Sequence, residues 1–308
     1  MIEEQLKPLM KYVAPRGAKK KRVSEILVNR FGEVWIELAG EDPYPVQDPD
    51  LDFEYFDRLA RLLSNQNEIT NFVDKPILKV TIPGGHRLTL GIGKFIKSGI
   101  GVSIRVANGR RFTLADYGLT EGQLGRIHDA IAHKANIVIS GGTFSGKTQF
   151  MNALLLLLDK RDRVLSGEDV DELDIEHIPN RVEFVLNQQS TALSINYTDI
   201  IDMMTRMRPD RIIVGELSIS NTWTLLRLLN SGHGGLITTV HADSPDLAFR
   251  AIERNVQLAG HSTNGVNEYF KETIDLVIQI KRRANSHIRE VSAIVDYKTP
   301  SRTLSAAE

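Results

Sequence analysis

The stretch "NIVISGGTFSGKTQF", residues 136–150, sets Gly141, Gly146, Lys147 and Thr148 at the spacing G-x-x-x-x-G-K-[ST] of a phosphate-binding loop. In such a loop backbone N–H groups cradle phosphates, the lysine reaches the β- and γ-oxygens, and the hydroxyl holds a Mg²⁺ ion. The cradle here is Gly141, Gly142, Thr143, Phe144, Ser145 and Gly146; Lys147 is the cation and Thr148 the metal-side hydroxyl. Glycine lets the backbone turn tightly and approach an anion, and the helix that follows adds the partial positive charge of its N-terminus. A nucleoside triphosphate with Mg²⁺ is the expected ligand.

Phosphoryl transfer to water also needs a carboxylate to orient or deprotonate the water, help for the metal, and a contact to the γ-phosphate. Three later apolar runs end in such groups. "RVLSGED" ends in Glu168 and Asp169, "RIIVGE" in Glu216, and "LITTVHA" in Thr238, Thr239 and His241. Glu216 suits a place one coordination layer out from Mg²⁺, and Glu168 suits the water, although the sequence leaves the two roles exchangeable. His241 is expected to sense the γ-phosphate, and His233 to serve a subunit or domain contact.

These groups meet only if their strands lie side by side. Strand 136–140, a helix over 146–159, strand 163–167 and later strands at 211–216 and 235–242 follow a helix at 120–134. This alternation implies a parallel sheet with helices on both faces, whose ligands bind beyond the carboxyl ends of the strands. The first third reads differently. A helix at 3–12, two apolar stretches around Phe31 and Gly32, a helical pattern from Phe53 to Leu63, and strands around a Pro-Gly-Gly turn in 76–93 form a smaller α+β domain. The expected division is 1–108, a linker at 109–118 and 119–308.

At 308 residues, 42% hydrophobic, 25% charged and a net charge of −1, the composition gives no reason to expect sequence-specific nucleic-acid binding. Without cysteine, disulfides and thiolate metal sites are excluded. The N-terminus lacks the pattern of a signal peptide, and the run Ala153–Leu158 is too short to span a bilayer, so a cytoplasmic protein is expected. "PRGAKKKR", residues 15–22, is either a solvated loop or a patch attracted to anionic lipid, at about 1 kcal/mol per basic residue near the surface.

"GGTFSGKT", "SGEDVDEL", "RMRPDRIIVGEL" and "SGHGGLITTVHADS" together resemble the Walker A, Asp, Walker B and His boxes of the secretion ATPase superfamily. "VSEILVNRFGEVWIEL" and "PILKVTIPGGHRLTL" resemble the N-terminal domain of one branch, the hexameric traffic ATPases of type IV secretion and conjugation. The resemblance covers about residues 20–282. It implies a RecA-like domain that hydrolyses ATP with Mg²⁺ and a homo-hexamer. It also implies partners among the inner-membrane and coupling components of the channel, with peripheral contact at the cytoplasmic face of that membrane. Arginines of the N-terminal domain are implied to reach the γ-phosphate; the matching positions are Arg87 and Arg105, with Arg206 and Arg208 in the same electrostatic group.

Ser218 and Asn221, in "ELSISNT", stand where the family usually has charged residues, so a salt bridge there is not expected. Rival readings are a pilus motor, a static nucleotide-dependent platform and a RecA-like DNA-binding ATPase. The short tail "KTPSRTLSAAE" argues against the first, and intact Lys147, Glu168 and Glu216 against the second; against the third, only residues 16–22 offer a basic stripe. The four-cysteine zinc module of type II enzymes is impossible here.

Overall fold

Two sheets organise the chain, each with its own core. The computed structural model describes residues 2–15, 21–39, 41–107, 112–143, 145–186, 195–229, 232, 234–283 and 288–297. Phe144, His233, residues 16–20 of the basic stretch and residues 109–111 of the expected linker lie outside these. By chain packing the described residues separate into a first unit, up to residue 107, and a second, from residue 112.

The first unit is an antiparallel sheet of six strands in the order β3-β2-β1-β6-β5-β4. Its strands are Val23–Arg30 (β1), Glu33–Leu38 (β2), Tyr44–Gln47 (β3), Ile77–Ile82 (β4), His86–Ile92 (β5) and Ile100–Arg105 (β6). Alternation in β4 and β6 sends Leu78, Val80 and Ile82 with Val102 and Ile104 to one face. Helices Ile2–Met10 (α1) and Phe53–Gln66 (α2) pack there through Leu6, Leu9, Phe56, Leu59 and Leu63. Asp52 starts α2 by accepting a 2.8 Å bond from the Tyr55 backbone N–H, one of the donors a helix start leaves unpaired. Tyr44–Gln47 was not anticipated: it is four residues long and carries Pro45, both tolerable only on an edge.

The second unit has seven strands in the order β13-β12-β7-β11-β10-β8-β9. They are Ile137–Gly141 (β7), Val164–Glu168 (β8), Arg181–Val185 (β9), Arg211–Val214 (β10), Ile237–His241 (β11), Leu276–Arg282 (β12) and Arg289–Asp296 (β13). All pairings are parallel except the edge pair β12–β13. Side chains from single strands feed two cores. Val138, Leu165 and Val240 face helices Tyr197–Arg206 (α5), Thr222–Leu229 (α6), Pro245–Leu258 (α7) and Val266–Thr273 (α8). Ile137, Ile139 and Ile237 face Glu121–Ala132 (α3) and Lys147–Leu155 (α4). Such double coverage is why the central strands read as unbroken apolar runs.

Two expectations change in detail. The helix after the phosphate loop ends at Leu155 instead of 159. Residues 114–117, inside the expected linker, form a 3-10 helix whose Leu114 and Tyr117 are buried in the core of the second unit. Tyr117 meets Phe150 edge-on at 4.8 Å, which ties this segment to α4 by packing. Among the described residues, no helix is long and apolar enough to cross a membrane.

Candidate active site

The phosphate loop joins β7 to α4 at the carboxyl edge of the sheet, between β12 on one side and β11 on the other. Two of its glycines are required by geometry. A Cβ on Gly141 would lie 2.5 Å from Ser145 Oγ and 2.7 Å from the Ile280 carbonyl, so no side chain fits. Gly146 has φ +91° and caps α4, a conformation that other residues adopt only under strain.

Lys147 is buried, and its ammonium donates to the carbonyls of Gly141 (2.9 Å) and Gly142 (3.2 Å) and to His241 Nδ1 (2.8 Å). Since an ammonium only donates, His241 accepts at Nδ1 and presents Nε2–H to Glu216 Oε1, 3.0 Å away. A chain Lys147–His241–Glu216 thus links the phosphate loop, the end of β11 and the turn after β10. Burial pulls the Lys147 pKa down to about 8, opposed by the nearby Glu216 charge. His241 and Glu216 keep nearly half of their side-chain surface exposed, which leaves them reachable by a ligand.

Glu168, the last residue of β8, stands in another environment. It is buried, with Oε2 accepting from the backbone N–H of Glu172 (2.9 Å) and Leu173 (3.1 Å), and the second donor shared with Oε1 at 3.2 Å. Burial pushes its pKa up to about 7, although these two bonds favour the ionised form. The two glutamates are therefore not equivalent: one is fixed by backbone and close to neutral protonation, the other half-open and bonded to histidine.

The turn carrying Glu216 is held by a residue that looked like a loss in sequence. Asn221, buried at the start of α6, donates from Nδ2 to the Glu216 carbonyl (2.8 Å) and accepts from the Ser218 backbone N–H (2.9 Å). An amide donates and accepts at once, whereas an ionised carboxylate only accepts and an ammonium or guanidinium only donates. On the other side of the turn, Thr239 donates to the Gly215 carbonyl at 2.8 Å and accepts through its own carbonyl from Leu217.

The donor set fits a phosphate chain. Among the described residues Ser145 Oγ is buried without a hydrogen-bond partner, and the loop backbone leads into the N-terminus of α4. Among the described residues no three His, Asp or Glu side chains converge to hold a metal. Mg²⁺ asks for less, because it takes one or two protein ligands and fills the rest from phosphates and water. Arg206 ends α5, and Arg208 follows with φ +53°. Asp210 is spent within the unit, on Lys134 Nζ (2.8 Å) and the Arg163 backbone (2.9 Å). Arg87 and Arg105 belong to the first unit, where they sit directly opposite each other on β5 and β6.

A family model described as "Type II/IV secretion system protein" matches residues 16–307. The chain belongs to that family. Its similarity to the conjugal transfer protein TrbB of Rhizobium radiobacter is 32% identity over 294 residues, 90% of this chain and 85% of that one. With the type IV secretion system protein VirB11 of Bartonella quintana it shares 28% identity over 310 residues, 86% of each chain. The X-ray structure of the Legionella pneumophila ATPase DotB superposes with a TM-score of 0.65 at 20% identity, over 91% of this chain and 75% of that one. The fold is that of the two-domain, RecA-like traffic ATPases of type IV secretion, and ATP hydrolysis is the activity of this family.

Proposed function

We propose that the protein is a motor that hydrolyses ATP and, as a ring of six copies, energises assembly of a type IV secretion or conjugation channel, or substrate transfer through it. The observation that carries this reading is the Lys147–His241–Glu216 chain beside a phosphate loop, with the buried Glu168 at the end of a neighbouring strand.

The phosphate loop and Lys147 hold the β- and γ-phosphates. On binding, the ammonium exchanges loop carbonyls for phosphate oxygens; Thr148 would hold a Mg²⁺ ion, with Glu216 one coordination layer out, and the ion would supply charge neutralisation at the phosphates. His241 Nε2–H, now shared with Glu216, is placed to donate to the γ-phosphate. Glu168 takes the proton of the attacking water; its pKa of about 7 matches a base working near neutral pH. Arg87 and Arg105 contribute planar guanidinium donors to charge developing on the γ-phosphate.

The partners proposed are the inner-membrane and coupling components of such a channel, with peripheral contact at the cytoplasmic face of the membrane. A head-to-tail contact between identical subunits closes into a ring or runs on as a filament, and a motor favours closure. The test joins turnover to mass. Lys147→Ala should abolish ATP hydrolysis, Arg87→Ala and Arg105→Ala should lower kcat at least about tenfold, the cost of one charge-assisted contact. Light scattering of the wild type with a slowly hydrolysed ATP analogue should give six times the chain mass. Normal hydrolysis by Lys147→Ala, or a monomer at all micromolar concentrations with nucleotide, would refute the motor.

A further inference from the structure

His241 and Glu168 end β11 and β8 and Glu216 lies in the turn after β10, all to one side of β7 in the sheet. The phosphate terminus that these groups serve is therefore on that side, and the remainder of a bound nucleotide leaves the loop toward β12 and β13. On that other flank stands Arg289, the first residue of β13, opposite Arg282 at the end of β12.

Arg289 is packed onto the loop itself. A Cβ built on Gly146 would meet its Cδ at 2.4 Å and its Nε at 2.6 Å, so Gly146 is small partly to admit this side chain. Nη1 donates to Gln149 Oε1 in the first turn of α4 at 2.5 Å, and the guanidinium lies 5.2 Å from the centre of the half-buried Phe112 ring. Among the described residues, Nε is buried with no acceptor and the only hydrogen bond of the guanidinium is that from Nη1, which leaves Nη2 without an acceptor there. Among the described residues no carboxylate pairs with this arginine. Native proteins rarely keep a half-buried cation with a spare donor and no counter-charge unless a ligand supplies the acceptor.

We propose that Arg289, backed by Phe112, is the nucleoside-side clamp of the site, with Nη2 donating to the ribose or base and the Phe112 edge covering its apolar surface. The proposal rests on the phosphate-loop reading and adds to it the half of the ligand that the four sequence boxes leave unassigned. Arg289 is then a binding residue that touches the nucleoside and takes no part in the transfer of the γ-phosphate.

Inorganic tripolyphosphate, which has the phosphates but no nucleoside, separates this role from simple bracing of the loop. In the full-length Arg289→Ala variant, the Kd for a slowly hydrolysed ATP analogue and the KM for ATP should rise about tenfold, the effect of one lost charge-assisted hydrogen bond. Its kcat and its Kd for tripolyphosphate, measured by calorimetry, should stay within about twofold of wild type. Phe112→Leu, which keeps an apolar contact and leaves Arg289 in place, should show the same split more weakly. Equal weakening of tripolyphosphate and the ATP analogue would make Arg289 a brace for Gly146 and overturn the proposal. Unchanged affinity for both would overturn it too. A wild type that binds neither ligand would instead refute the phosphate loop.

Discussion

Replacing Glu168 by glutamine should change two pH profiles at once, and both sizes follow from one carboxylate. A glutamine oxygen placed where Oε2 now lies keeps the bonds from the Glu172 and Leu173 backbones, so the substitution removes the charge and little else. The folded pKa is about 7, raised from 4.5 by burial. Between these values the folded state binds more protons than the unfolded one, so stability falls as pH rises. At about 1.4 kcal/mol per pKa unit, the wild type loses about 2 to 3 kcal/mol between pH 5 and pH 8 through this group. Urea unfolding of both proteins should show Glu168→Gln near the wild type at pH 5 and more stable at pH 8 by that amount. In turnover, a base of this pKa is about one-tenth ionised at pH 6 and about nine-tenths at pH 8, so wild-type kcat/KM should climb about tenfold. Glu168→Gln should lose at least about 10²-fold in kcat and that rising limb with it. A variant that keeps the wild-type stability slope, or hydrolyses ATP within a few-fold of it, would refute the assignment of both the burial cost and the base.

Lys147→Met should abolish turnover yet raise stability at pH 7 by about 1–3 kcal/mol, since a buried ammonium with its pKa pulled down to about 8 is costly when charged. The advantage should shrink above pH 8, where the folded wild type sheds this proton before the unfolded chain does; a lower melting temperature in Lys147→Met at pH 7 counts against it. Asn221→Ala should leave the Kd for ATP near wild type and cut kcat about tenfold, because the Glu216 turn loses two hydrogen bonds. An unchanged kcat would show that the turn holds itself.

The parts of the site borne by central strands were legible. β7, β8, β10 and β11 are apolar runs covered on both faces, and a polar residue ending such a run falls on the ligand edge. What escaped depends on the sheet's edges and on contacts far apart in sequence. Arg181–Val185 alternates charged with half-exposed residues and gains its strand only by pairing with β8. Arg289 reaches the loop because β12 pairs with β7, a neighbour relation that nothing local in "HIREVSAIVD" encodes. Asn221 was read only for the charge it lacked, whereas its amide is what bonds both sides of the turn. The distinct environments of Glu168 and Glu216 arise from burial, which two similar strand ends do not reveal.

The 3-10 helix at Leu114–Tyr117 makes the second unit begin earlier in the chain than its first helix suggests. Phe112 and Arg289 are in contact, and Arg126 reaches Asp296 and the Ile294 carbonyl (3.2 Å), so the opening and closing segments of the unit are buckled to each other. A fragment cut at residue 119, the natural choice from the helix pattern, would discard the fully buried Tyr117 and leave a hole against Phe150. Removing a buried aromatic side chain typically costs about 3–5 kcal/mol, a large share of what a domain of this size has in hand. A fragment opening at residue 112 keeps the buckle closed. Any insertion, tag or recombination junction placed between residues 112 and 118 would strain the nucleotide site from behind, by unfastening the strand that carries Arg289.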